Sequence, residues 1–524
     1  MRRFVLLVWL VLVAVQMTLG LTWIAQNVGE APAYQDTTEY LYLGQTLKVD
    51  AYRGVGYPAF IAAVHRLVGG TVRGVIPQLQ ILQVLASLGS LVYFLHVFVP
   101  SVGPARIKRS LAILLPLLLL LDPLVAHFDM AIMTDGLALS ASLVFCAALA
   151  QFGLGTSRRV LSGVVLFSAF LLTASLRAEK SLVLACAALA TTGCWLLMQR
   201  GLAREARWFP TLRALQVVGI ILAGGLAILG VQASLRHEGK RWPAYESLLL
   251  QRIVFPNVGA VYDELPEDVR SRLSRRDAEL HDRDILEARE VIKRVTGSTG
   301  QRSREDRRLA PGSSARPSVD RLRRSMLEEI AAVVLRERWA LLAADVLKDA
   351  AENVAATFSF YGRMVLLACL GNDAFKLDAD PWTHEQLARV YPRTSLLYTR
   401  WTYERLARAH PQTSLLFISC SALLFLLSAA LAIAALVRRG QRGAARIERP
   451  MLVAWVPVAA FVLANAFAFA LVADLVHVRY VIFSHVAILV VAYRGALDWF
   501  LPDGKDLTMK TGERSSARVE RSGT

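Results

Sequence analysis

Arg2-Arg3-Phe4-Val-Leu-Leu-Val-Trp-Leu-Val-Leu-Val-Ala-Val-Gln16-Met-Thr18-Leu-Gly-Leu-Thr22-Trp23-Ile24 sets two cations in front of an apolar run from residue 4 to residue 24. Crossing a hydrocarbon layer about 30 Å thick takes roughly 20 residues of helix, so this run is long enough to span a bilayer. A secretory signal begins in the same way, but no small-residue cleavage site follows cleanly and further apolar runs come after. The segment is read as a retained membrane helix.

Runs of similar length recur at roughly 75–99, 110–128, 136–153, 159–176, 181–199, 214–235, 413–437, 451–474 and 480–497, which with 4–24 makes ten expected spans. Hydrophobic residues form 55% of the 524 and the mean hydropathy is +0.43, a composition that argues against a soluble protein. The shorter apolar piece Tyr57–Val68 is expected to be a half-helix in the interface.

Charge orients these spans. With the N-terminus inside, the cytoplasmic loops carry Arg106, Lys108 and Arg109; Arg158 and Arg159; Arg200, Arg204, Arg207 and Arg213; and Arg438, Arg439, Arg442, Arg446 and Arg449. The short loops on the other side hold only Lys48 and Arg53, Arg177 and Lys180, and Arg479. Lys/Arg bias over short loops sets orientation, so both termini are expected in the cytoplasm. The net charge of +17 comes from these loops, a basic tail and an arginine-rich insert, and gives no reason to invoke nucleic acid. The five cysteines, Cys146, Cys186, Cys194, Cys369 and Cys420, lack the paired spacing of a metal site or disulfide framework.

The expected fold is therefore an all-α polytopic membrane protein of about ten transmembrane helices, with a mainly helical extracytoplasmic insertion. Residues 1–235 form a seven-helix block with a first outward loop at 25–74. Residues 236–412 form the insertion, 413–497 return three helices to the membrane, and 498–524 are a basic cytoplasmic tail expected to be disordered. Within the insertion, helices are expected over Asp277–Arg294 and Val319–Arg338, on either side of the Gly/Ser/Pro-rich linker Thr296–Ser318. The apolar stretch Val354–Leu370, interrupted by Arg363, is not counted as a span. A duplication in which Glu385–Leu397 recurs 19 positions on as Glu404–Leu416 reads as two short helices each stopped at a proline.

Unusual polar groups collect on the outward side. The first loop holds Asp36, Glu39, Tyr40, Arg53 and Tyr57-Pro58; the next holds Asp129 and Met133-Thr134-Asp135-Gly136; the next holds Arg177-Ala-Glu179-Lys180; and His477-Val-Arg479-Tyr480 opens the last span. Ionisable groups at membrane level are costly without a partner or a task. Asp36-Thr-Thr-Glu39 also fits a helix N-cap, as does Asp135, so local structure competes with chemistry at both. Carboxylates beside arginines stay ionised and suit proton acceptance, whereas arginine forks suit phosphate oxygens. A carboxylate base beside phosphate clamps, facing the bilayer, suggests transfer from a lipid-linked phosphate donor.

The layout resembles the GT-C superfamily of integral-membrane glycosyltransferases, notably the protein O-mannosyltransferase and lipid A aminoarabinose transferase branch. The resemblance is carried by Asp36-Thr-Thr-Glu39-Tyr40, the Arg53-Gly-Val-Gly-Tyr57-Pro58 return, Thr134-Asp135-Gly136, Leu176-Arg177-Ala-Glu179 and Arg479-Tyr480. It covers the first 235 residues best and the last three helices weakly. It implies inverting transfer of a sugar from a polyprenyl-phosphate donor to a glycan, lipid or protein acceptor on the extracytoplasmic face. On that model Asp36 is the general base, and Arg53, Arg177 and Arg479 hold the donor phosphate. Lys180 and His477 are weaker contacts, Asp135 lines the sugar or acceptor pocket, and Glu39, Tyr40, Tyr57 and Glu179 complete the substrate site. The Asp-X-Asp pattern of metal-dependent members is absent, so no obligatory cofactor is expected, although Asp36, Glu39 and Asp135 could together bind a divalent metal. The arginine- and alanine-rich composition points to a bacterial inner membrane with the site facing the periplasm. Two other classes stay in view: a flippase for a lipid-linked sugar, and a non-catalytic assembly factor working through residues 236–412.

Overall fold

The computed structural model describes residues 2–29, 35–47, 54–72, 74–98, 114–154, 159–198, 208–237, 253–254, 257, 259–272, 316–369, 411–441, 449–472 and 478–500. Every regular element among them is helical. In chain order they are α1 (Arg2–Asn27), α2 (Gln35–Thr46), α3 (Gly56–Val68), α4 (Ile76–Phe98), α5 (114–120), α6 (Pro123–Met130), α7 (Thr134–Leu154), α8 (Arg159–Leu176), α9 (Ala178–Met198), α10 (Trp208–His237), α11 (Glu267–Arg272), α12 (Arg316–Cys369), α13 (Pro411–Gln441), α14 (Arg449–Val472) and α15 (Val478–Phe500).

Six described helices are long and apolar enough to cross a membrane: Arg2–Asn27, Ile76–Phe98, Thr134–Leu154, Lys180–Met198, Leu416–Arg438 and Ile482–Phe500. Val160–Leu176, Leu212–Ile228 and Trp455–Ala468 are shorter apolar helices. Aliphatic side chains stand exposed along α1, α9, α10 and α13, including Leu7, Val11, Leu182, Leu189, Leu226, Leu423 and Ile433. Surface of this kind is disfavoured in water and suits lipid. The chain has the build of a multi-pass membrane protein.

The third expected span, 110–128, is not one helix. Helix α5 ends at residue 120 and α6 begins at Pro123, with Asp122 extended between them at φ −73°, ψ 137°. The residue before a proline is driven out of the helical region, and proline at the first helical position lacks an amide that would be unbonded there anyway. Asp122 then caps α6, its Oδ1 accepting from the amides of Leu124 (3.0 Å) and Val125 (3.4 Å). The expected half-helix at Tyr57–Val68 is α3 and begins one residue earlier.

The chain divides into two compact units. One comprises Met1–Pro243, Val354–Asn465 and His477–Thr524; the other comprises Ala244–Asn353 and Ala466–Val476. In the first, α7 packs on α4 and α8, α9 and α10 on α8, α13 on α1 and α15, and α2 on α3. The core of the second joins Val254, Val261, Leu265 and Val269 to Ile330 and Val334 of α12. Helix α12 is longer than the sequence suggests: Val319–Arg338 and most of Val354–Leu370 belong to one 54-residue run, kinked at Arg338 (φ −130°, ψ 18°). The expected helix Asp277–Arg294 and most of the duplication lie outside the described residues, and Pro411–Leu416 of its second copy opens α13.

Candidate functional site

The site is built on α4, an apolar helix carrying one polar stripe. Gln80, Gln83, Ser87 and Ser90 recur at helical spacing on one face, and all four are buried. Buried polar groups need partners, and here the partners are buried carbonyls at the end of α6 and in the turn to α7. Gln80 donates from Nε2 to the carbonyl of Met130 (2.8 Å), and Gln83 donates from Nε2 to those of Asp129 (2.6 Å) and Ala131 (2.9 Å). Ser87 donates to Asp129 Oδ1 at 2.6 Å and lies 3.0 Å from the Ser140 hydroxyl. The amide of Gly29, just past the end of α1, donates to Gln80 Oε1 at 2.8 Å. The stripe thus ties the end of α1 and the 129–131 turn to α4.

The first loop returns to this frame through Tyr57. Its ring is fully buried and its hydroxyl donates to Gln83 Oε1 at 2.5 Å. Burial, reinforced by Tyr40 and then Asp135, pushes this phenol well above its usual range, so it acts as a neutral donor. Tyr40 of α2 meets it edge-on, ring centroids 5.1 Å apart at 82°. Two glycines allow the close approach: a Cβ on Gly54 would sit 2.3 Å from the Ser175 carbonyl, and one on Gly56 would sit 2.4 Å from the Ser175 hydroxyl. The loop therefore lands on the last turn of α8, immediately before Arg177.

Arg177 connects the parts. Its amide continues the α8 ladder to the Thr173 carbonyl (2.8 Å), its Nε donates to Thr134 Oγ1 (3.0 Å), and its guanidinium forms an ion pair with Asp135, Nη1 to Oδ1 at 3.3 Å. Asp135 is buried, and its Oδ2 finds no hydrogen-bond partner among the described residues; the same holds for Asp129 Oδ2. Asp129 lies between the spans, and burial pushes its carboxyl up to about 8 against the opposing hydrogen bond from Ser87. That shift favours its protonated, neutral form.

Of the expected site residues, Tyr40, Tyr57, Asp135 and Arg177 come together at one end of the helices. Lys180, whose amide donates to the Arg177 carbonyl at 3.0 Å, is buried with its side chain bonded to Asn465 Oδ1 of α14 and its ammonium 6.0 Å from the Phe461 ring centre. Asp36 and Glu39 lie in the first turns of α2, Glu179 in the first turn of α9 and Arg479 at the start of α15; their side chains, with all of Arg53 and His477, lie outside the described residues. Sequence reasoning missed Gln80, Gln83 and Ser87, for which the spacing of polar residues inside span 75–99 is the signal. It also missed a second buried pair, His485 Nε2 to Asp122 Oδ1 at 3.2 Å, at the break between α5 and α6. Among the described residues, no three His, Cys, Asp or Glu side chains converge as a metal site would require.

Chemically, the arrangement offers a largely buried cation already paired with a carboxylate, a carboxylate oxygen with an open valence, and a phenol whose proton is committed to Gln83. Searched against protein-family models, curated proteins and solved structures, the chain matches none.

Proposed function

We propose that the protein is a GT-C-type glycosyltransferase moving a sugar from a polyprenyl-phosphate donor to an acceptor on the extracytoplasmic face of a membrane. Ten spans, cytoplasmic termini and a bacterial inner membrane belong to the same proposal. The observation that carries it is the convergence of the first outward loop, through Tyr57 and Gly54, on Arg177 and Asp135. Three outward segments far apart in sequence meet there, as a site handling one lipid-linked anion and one acceptor requires.

In the proposed reaction Asp36 removes the proton from the acceptor hydroxyl as its oxygen attacks the anomeric carbon. The bond to the phosphate oxygen breaks with inversion, and the negative charge gathers on the polyprenyl phosphate. Arg177, Arg53 and Arg479 stabilise that charge, which grows as the bond breaks; this is the kind of interaction that lowers a barrier. Asp135, Glu39, Tyr40, Tyr57, Glu179, Lys180 and His477 shape the donor and acceptor pocket. Positioning two reactants in this way supplies much of the acceleration when the leaving group is already good.

The test is sugar transfer by purified protein given polyprenyl-phosphate sugars and a membrane extract, wild type against Asp36→Asn. Loss of general-base catalysis should lower the rate about 10²–10⁴-fold with donor binding retained. Equal rates would remove Asp36 from the chemistry. Donor binding without transfer by either protein would favour the flippase reading, which the helix break at Asp122 and its buried His485 partner also suit.

A further inference from the structure

Where α1 begins, at its far end from Gly29, and α13 and α15 end, two arginines share one indole. The guanidinium carbons of Arg2 and Arg438 each lie 5.9 Å from the centre of the Trp499 ring. The two cations are close enough to repel one another. Arg2 also donates from Nη2 to the Trp499 carbonyl, at the end of α15. Its Nε is buried and finds no acceptor among the described residues. The neighbouring carboxylate, Asp498, is ion-paired to Arg494 one turn back, Nη2 to Oδ1 at 3.2 Å. No described carboxylate pairs with Arg2 or Arg438.

This cluster is held firmly. Trp9, two turns along α1, donates from Nε1 to Ser428 of α13 at 2.9 Å and packs on Phe500 of α15, ring centres 5.8 Å apart. Three helix ends are thereby fixed around the indole. A tryptophan and arginines at a membrane interface can serve as plain anchors. Anchors, however, spread their charges into water, whereas here two guanidinium groups converge with a donor left over. A guanidinium has five N–H groups and no acceptor of its own, and paired arginines match the oxygens of a phosphate.

We propose that Arg2, Arg438 and Trp499 form a binding site for the phosphate of an anionic lipid headgroup, in the leaflet opposite the candidate catalytic face. The two arginines hold the phosphate oxygens, and the indole, amphipathic and level with the headgroups, contacts both cations. The site owes nothing to the glycosyltransferase reading and stands or falls separately from it.

Native mass spectrometry of the full-length protein, exposed to equal amounts of phosphatidylglycerol and phosphatidylethanolamine in non-ionic detergent, tests the proposal. Wild type should retain phosphatidylglycerol preferentially. Each of Arg2→Gln and Arg438→Gln should weaken that retention about fivefold, and the pair about thirtyfold. Arg158→Gln/Arg159→Gln removes as much charge from another basic segment and should leave retention unchanged. Should the double variant not fold, each single variant and Trp499→Leu give the same comparison. Equal retention by wild type and the Arg2/Arg438 variants would overturn the site, as would an equal loss in the control. Inorganic phosphate alone displacing the lipid through these same arginines would show an anion site filled from solution, and would overturn the lipid assignment.

Discussion

Replacing Gln83 by leucine keeps the side chain's approximate volume and removes three hydrogen bonds at once. Tyr57 loses its acceptor at 2.5 Å, and the carbonyls of Asp129 and Ala131 lose donors at 2.6 and 2.9 Å. The losses are unequal. The Ala131 carbonyl also accepts from the Met133 amide at 2.9 Å, so it keeps a partner, and the stranded groups are the Tyr57 hydroxyl and the Asp129 carbonyl. A buried polar group left unsatisfied costs about 1–3 kcal/mol, whereas hydrogen bonds within membrane proteins average about 0.6 kcal/mol in double-mutant cycles. Two stranded groups on the first scale and three bonds on the second bracket the loss at about 2–6 kcal/mol, and we expect about 3. The assay is reversible unfolding in mixed detergent micelles, followed by tryptophan fluorescence. Tyr57→Phe made in the Gln83→Leu background should return about 1 kcal/mol, because the hydroxyl is no longer stranded; the resulting non-additivity is the signature of direct contact. A Gln83→Leu protein within about 0.5 kcal/mol of wild type, the usual size of an innocuous surface change, would refute the role given to the polar stripe.

Two further outcomes follow from the same frame. Asp129 has a native pKa of about 8, above its unfolded value, so the unfolded chain releases its proton first and stability should fall as pH rises from about 4 to about 8, by at most about 1.4 kcal/mol per pH unit. Asp129→Asn should flatten that slope, and an unchanged pH profile would show that the carboxyl is charged in the native protein. Gly54→Ala places a methyl 2.3 Å from the Ser175 carbonyl, which is backbone and cannot turn aside. It should push the loop off α8 and lower transfer activity at least tenfold while costing about 1–3 kcal/mol, as overpacking does; full activity would mean that the approach of loop to helix is not needed for function.

What could be read from the sequence was what depends on local pattern. Apolar length located the helices, and the short run at Tyr57–Val68 was recognisable as a half-helix because it lacks the residues to cross. Asp135 and Arg177 stood out as charges at the ends of apolar segments, but their pairing across 42 positions, like the grip of Gln83 on a turn 46 and 48 residues away, is tertiary and leaves no local trace. Asp122-Pro123 did carry a signal. An Asp-Pro step favours a turn, but the leucine-rich run around it reads as one continuous span. The continuity of α12 was hidden for the opposite reason: charged and apolar halves differ in composition, and nothing in composition marks where a helix with no proline beyond Pro317 must stop.

The contact between Arg177 and Asp135 has a consequence for how the site works as a competition. The Arg177 guanidinium already has a counter-ion in Asp135, so it is not itself a naked charge open to any passing anion. A ligand must displace a carboxylate held at fixed geometry and therefore has to offer more than a single negative charge in the right place. On the proposed function, a sugar phosphate with a lipid chain to localise it would meet that demand better than a small soluble anion. On the same proposal, displacement would also free the Asp135 carboxylate as the donor arrives, so the incumbent ion pair would contribute to selectivity.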